Sequence, residues 1–113
     1  MRAVYKVPGL RAQVLDIRND LPTLQAMVGG YIEAVHESLP TKGGTIPYVV
    51  ILNEEGRWMG MPANIECAHG PAYVGPVLAV GEDGEEFAGL TPDEARAIAE
   101  HFDARAVITG EGD

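Results

Sequence analysis

Cys67-Ala68-His69 holds the pair of residues best suited to chemistry. In an extended segment both side chains point the same way, and a thiolate beside an imidazole is a nucleophile with its base. Two potential ligands fall short of the roughly four that a structural zinc site needs. No third group that would orient the imidazole stands beside them, so Cys67 reads as a small core-filling or rim residue. His36 and His101 stand apart from it and from each other, and read as surface or helix-end histidines. Glu82, Asp83, Glu85 and Glu86 gather carboxylates around Gly84 without the alternating Asp/Asn ligands of a calcium loop, which predicts a solvated hairpin tip. Thr41-Lys42-Gly43-Gly44-Thr45 lacks the glycine–lysine order of a phosphate-binding loop. No nucleophile–base–orienter set and no convergent pair of carboxylates is visible, so the sequence assigns no catalytic residue, no metal and no cofactor.

The elements that must position these groups are legible in outline. Ala3–Val7 reads as a strand, Pro8-Gly9 as a tight turn and Ala12–Ile17 as the returning strand. A short helix follows, with Asp20 as N-cap, Pro22 in the first turn and Leu21, Leu24 and Val28 on one face. Gly29 falls at the left-handed residue that ends such a helix, and Gly30 lets the chain turn into the next strand, Tyr31–His36. Glu37–Pro47, with two prolines and two glycines, predicts a mobile loop. Tyr48–Leu52 is the most apolar strand and should be central. Asn53–Gly56 predicts a turn and Arg57–Met59 a short returning strand; Pro62–Ala68 is ambiguous between a helical turn and irregular chain. Val77–Val80 and Glu86–Ala88 predict a strand pair. Thr91-Pro92-Asp93-Glu94 is a capping box opening a helix whose buried stripe is Ala95, Ile98, Ala99 and Phe102. Ala104–Thr109 predicts a last edge strand and Gly110–Asp113 a tail. The fold class that follows is α+β: a single domain spanning 1–113, with an antiparallel or mixed sheet of five to seven short strands and two helices on one face.

Composition narrows function more than it assigns it. The chain has 113 residues, 46% of them hydrophobic, which suits one globular domain rather than a disordered segment. Eight cations against 17 acids give a net charge of −9 with no cluster of Lys or Arg. Phosphate neutralisation supplies most nucleic-acid affinity, so nucleic acid is not the expected partner, and anionic membrane surfaces are disfavoured for the same reason. A single cysteine excludes an internal disulfide and fits a reducing cytosol. No apolar run approaches a membrane span and the N-terminus lacks a signal core, so the expectation is a cytoplasmic protein.

The helix ending Val28-Gly29-Gly30, the strand Tyr31-Ile32-Glu33-Ala34-Val35, the turn Asn53-Glu54-Glu55-Gly56 and the step Gly60-Met61-Pro62-Ala63-Asn64 together resemble domain-of-unknown-function family 3846. Gly75–Val80 leading to Gly89-Leu90-Thr91 extends the resemblance, which covers about residues 3–102. Glu37–Pro47 looks longer than is usual there, and Cys67–Pro71 departs from the pattern. The resemblance implies a small protein of phages, plasmids or other mobile elements of Gram-positive bacteria. The Ala- and Arg-containing composition adds the hint of an actinobacterial host. No biochemistry is attached to the family, so no catalytic residue is carried over.

Tyr31, Glu33, Asn53 and Asn64 are the polar residues embedded in these segments, and with Arg57 they form the candidate ligand-binding cluster. The alternative is that Asn53 and Asn64 only hydrogen-bond local backbone. The expected function is non-enzymatic: an accessory protein that binds a host protein. One alternative is sequestration of a small molecule such as a nucleotide signal of host defence; another is a small enzyme of unknown reaction. A homo-oligomer is compatible with the sequence. A deep pocket lined by Arg57 and the asparagines would favour the small molecule, and an exposed apolar patch a protein partner. The charge balance makes its own prediction. A gel-shift assay at about 150 mM salt should show no retention of duplex DNA; tight binding there would mean that arginines distant in sequence converge.

Overall fold

Every residue of Tyr48–Asn53 is buried, and so is every residue of the segment Val77–Gly81. A strand without an exposed residue must be covered on both faces, and that requirement organises the molecule. A computed structural model describes residues 1–108. Among these, the chain order is β1 (Arg2–Lys6), β2 (Gln13–Asp16), α1 (Leu21–Val28), β3 (Ile32–Thr41), β4 (Gly44–Asn53), β5 (Ala63–Cys67), β6 (Gly70–Val74), β7 (Val77–Asp83), β8 (Glu86–Ala88) and α2 (Pro92–Ala104). The main sheet has six strands in the order β2-β1-β7-β4-β3, with β8 paired to the end of β7; β5 and β6 form a separate hairpin. Every strand pair is antiparallel. The fold is therefore α+β, and the main sheet falls within the expected five to seven strands. No described helix is long and apolar enough to cross a membrane.

The helices do not share a face, contrary to expectation. Side chains alternate across a strand. Val4, Val50, Leu52, Val77 and Ala79 form one face of the sheet and pack with Leu90, Ala95, Ile98 and Phe102 of α2 and its approach. Ala3, Val49, Ile51, Leu78 and Val80 form the other and pack with Leu24 and Val28 of α1. The reason is the two-sided burial of β4 and β7: helices on one side alone would leave half of those side chains in water.

Both helix starts form as their residues dictate. The Asp20 carboxylate accepts the Thr23 N–H at 2.8 Å. Thr91 accepts from the Glu94 N–H at 3.1 Å while Glu94 accepts from the Thr91 N–H at 2.9 Å, completing the capping box.

Three segments depart from the sequence reading. Glu37–Pro47 is a ribbon rather than a loop: β3 and β4 pair without a break from Ile32↔Asn53 to Thr41↔Gly44 around Lys42-Gly43. In a two-residue hairpin the closing pair is hydrogen-bonded and the pairs alternate from there. Pro40/Thr45 and Ser38/Pro47 thus fall where backbone groups point away from the partner strand, and neither proline removes a ladder bond. Arg57–Met59 is not a strand; residues 54–60 form a turn, closed by Met59 N–H to the Glu55 carbonyl at 2.9 Å and Met61 N–H to the Gly56 carbonyl at 2.9 Å. The ambiguous Pro62–Ala68 segment becomes β5, and its partner β6 had no counterpart in the sequence reading. The expected last strand contracts to one bridge, Ala106 with Ile65, because α2 runs on to Ala104. Thr109 and the expected tail Gly110–Asp113 lie outside the described residues.

Gly29 adopts the left-handed conformation, with φ of 86°, and its N–H caps the Gln25 carbonyl. A Cβ on Gly30 would come within 2.9 Å of Asn53 Nδ2, which donates to the Val28 carbonyl at 3.2 Å. Two different costs are expected. Gly29→Ala should lower stability by about 1–2 kcal/mol through its backbone angle, and Gly30→Ala by about 1 kcal/mol through displacement of Asn53. Urea midpoints equal to wild type for both would contradict this account.

Candidate functional site

The turn 54–60 and the Gly29–Tyr31 corner build one end of the molecule. They are joined by the Glu54 N–H, which donates to the Tyr31 carbonyl at 2.8 Å. The backbone there is fixed by Asn53, buried at the end of β4. Its Oδ1 accepts the Glu55 N–H at 2.7 Å while its Nδ2 holds the helix end. This local accommodation leaves the turn's large side chains outside: Trp58 is 92% exposed, Tyr31 66% and Met59 56%. Glu33, Asn53, Arg57, Trp58 and Tyr73 line a cleft of about 230 Å³ beside them. The Arg57 guanidinium donates to the Ala72 carbonyl at 2.9 Å and so ties the turn to β6.

Of the five residues proposed from the sequence, Glu33, Asn53 and Arg57 meet at this cleft. Tyr31 stands on the adjoining surface with its side chain in solvent. Asn64 is elsewhere, fully buried under the β5–β6 hairpin. Its Nδ2 donates to the carbonyls of Lys6 at 2.9 Å and Gly75 at 2.8 Å, and its Oδ1 accepts from Lys6 Nζ at 2.8 Å. Lys6 is only 2% exposed. Burial lowers its pKa, and the Asp103 carboxylate opposes that shift. The pair clamps the hairpin to β1 across the sheet face. Nothing in Val4-Tyr5-Lys6-Val7 distinguishes this lysine from a surface one; the only sequence signal is its parity with Val4 along β1.

A second concave region lies where the sheet divides. β4 pairs with β7 only over Val49–Leu52, while β4 starts at Gly44 and β7 continues to Asp83, so the strands part beyond Val49↔Val80. The resulting groove, about 640 Å³, is lined by His36, Glu37, Tyr48, His69 and Glu82 among others. His36 Nε2 lies 3.0 Å from a Glu82 oxygen and His69 Nε2 lies 4.0 Å from Glu37. Glu37 also accepts the Tyr73 hydroxyl proton, joining β3 to the hairpin. Among the described residues no three His, Cys, Asp or Glu side chains are grouped to hold a metal ion. Cys67 is half-buried at the end of β5.

Glu37, Trp58 and Tyr73 escaped the sequence reading. Glu37 falls in the expected loop, yet Glu33, Val35, Glu37 and Leu39 share one parity along a strand. Trp58 stands between Gly56 and Gly60, and a tryptophan bracketed by glycines fits a turn that displays it as well as a short strand.

The sequence profile described as Domain of unknown function (DUF3846) matches residues 1–103. No curated protein and no solved structure matches the chain.

The two tyrosines at the hairpin interface carry a pH prediction. Burial, reinforced by the Glu37 carboxylate, pushes the Tyr48 phenol from 10.0 up to about 12. Tyr73 is raised too, by burial and then by its bond to Glu37. A folded-state value above the unfolded one means that this stabilisation is complete below about pH 10 and is lost as pH climbs toward the folded value. Urea midpoints should stay level up to about pH 10 and fall as the pH rises above it, and the fall should be shallower in Tyr48→Phe and Tyr73→Phe. Parallel curves for all three proteins would contradict it.

Proposed function

We propose that this chain, which belongs to the DUF3846 family of domains of unknown function, works by binding a protein rather than by catalysis. In this reading it is an accessory protein of a phage or mobile element, and its partner is a protein of the host cell. The observation that carries the reading is Trp58, 92% exposed on a turn whose backbone is pinned at both ends, with Tyr31 and Met59 exposed beside it. An indole held in water by an ordered turn is poised for a partner's pocket. Trp, Tyr, Met and Arg are the residues enriched at interface centres. The surrounding exposed charge is acidic, from Glu33, Glu54 and Glu55, while Arg57 is engaged with Ala72. A partner with a basic rim around an apolar pocket fits this surface.

Sequestration of a nucleotide has less support. The cleft that contains Arg57, about 230 Å³, is smaller than the roughly 300 Å³ at which ligand pockets begin. The larger groove pairs its carboxylates with histidines, Glu82 with His36 and Glu37 with His69, and no Lys or Arg lines it to hold phosphate.

Trp58 is the only tryptophan, so its fluorescence reports this surface alone. The free protein should emit as a solvated indole, and complex formation with a purified host partner should shift the emission to shorter wavelength. Trp58→Ala should weaken that complex by at least about 2 kcal/mol and change the stability of the free protein by no more than about 0.5 kcal/mol. A complex that forms with unchanged affinity in Trp58→Ala would overturn the reading.

A further inference from the structure

The outer edge of β3 is open. The sheet order ends on β3, and among the described residues its backbone hydrogen bonds go to β4 alone. Ten residues make this edge about 34 Å long, whereas β2 at the opposite end has four. The two-residue hairpin at Lys42-Gly43 fixes which groups face outwards: the N–H and C=O of Ile32, Ala34, His36 and Ser38, and the carbonyl of Pro40. Such a row is a template for one more strand.

Charge decides what that strand is. Glu33 is exposed on one side of β3, Glu37 on the same side is only 15% exposed and already bonded to Tyr73, and no Lys or Arg is present in the strand. A second copy on this edge would bring together two chains of net charge −9. It would also bring the exposed Glu33 carboxylates of both copies to a seam about 4.8 Å wide, and like charges across a strand pair are destabilising. A guest strand with Lys or Arg on that side meets the opposite condition. The N-terminal end of the edge, Ile32, directly follows Tyr31, so a guest would run onto the surface that carries Trp58.

We infer that β3 takes up an extended, basic segment of a partner protein as an added antiparallel or parallel strand, its main chain bonded to the outward groups of β3 and a cation facing Glu33. The inference rests on the reading that the chain binds a protein and narrows that partner to one offering an extended basic segment.

The test is an NMR titration of the full chain with a terminally blocked synthetic peptide of about ten residues, valine and threonine throughout except for a lysine placed to face Glu33. Saturable shifts and slowed exchange at the amides of Ile32, Ala34, His36 and Ser38 are expected. The same peptide methylated on alternate backbone nitrogens should not bind, and Glu33→Lys should weaken binding by about threefold. Ala34→Pro removes an N–H that points away from β4, and should abolish uptake in a protein with wild-type circular dichroism; if that variant fails to fold, the methylated peptide decides. Undisturbed β3 amides, equal binding by the methylated peptide, or a dimer in sedimentation that Ala34→Pro dissolves would each overturn the inference. Should Trp58→Ala weaken a host complex while the peptide leaves β3 untouched, this inference fails and the binding reading stands; uptake on β3 with a complex indifferent to Trp58→Ala is the reverse.

Discussion

The two-sided burial of β4 and β7 is the constraint on which the other elements depend. Val49–Leu52 and Val77–Val80 form a continuous apolar run at the centre of the sheet, and alternation sends half of each run to either face. Each face therefore needs its own cover. On one, α1 supplies Leu24 and Val28 over a short distance. On the other, α2 supplies Ala95, Ile98 and Phe102, and the β5–β6 hairpin adds Ile65 and Tyr73. The helices are of unequal length, eight and thirteen residues, and only the longer one shares its face with a hairpin.

Beyond Ile65 and Tyr73 in the core, that hairpin is held by polar contacts. Lys6 Nζ donates to Asn64 Oδ1, and the Asn64 amide donates to the carbonyls of Lys6 and Gly75, in a site where both side chains are buried. Such an arrangement gains little net stability over an apolar pair, but it is costly to break in part, since a buried charge would lose its partner. It therefore sets where the hairpin sits more than how strongly the fold is held. Arg57 to Ala72 and Tyr73 to Glu37 fasten the same hairpin to the turn 54–60 and to β3. The polar groups that might have served chemistry are in this way used to place one surface element against its neighbours.

What remains outward is a fixed display. The indole of Trp58 and the open edge of β3 lie on adjoining parts of the surface, joined through Tyr31 and Glu33. Exposed aromatic residues on a rigid turn lose little entropy when a partner covers them, and an edge strand offers hydrogen bonds that need no rearrangement. The exposed charge around them is acidic, from Glu33, Glu54 and Glu55.

Local rules written in the sequence determined much of this. Asp20 and Thr91 start their helices, Gly29 ends the first one, and the apolar run from Tyr48 marks the central strand, because each effect acts within a few residues. The resemblance carried by Val28-Gly29-Gly30 and its neighbours was legible for the same reason. Only the tertiary structure decided which face each helix covers, since periodicity tells that a helix is amphipathic and not which side of a sheet it meets. Only pairing turned Glu37–Pro47 from a proline- and glycine-bearing stretch into a ribbon, because a proline breaks a strand or not according to the direction its nitrogen faces. The proposed site divided on the same ground. Glu33, Asn53 and Arg57 come together because β3, β4 and the following turn are neighbours. Asn64 went to a buried clamp with Lys6, a partner 58 residues away that no local rule could have named.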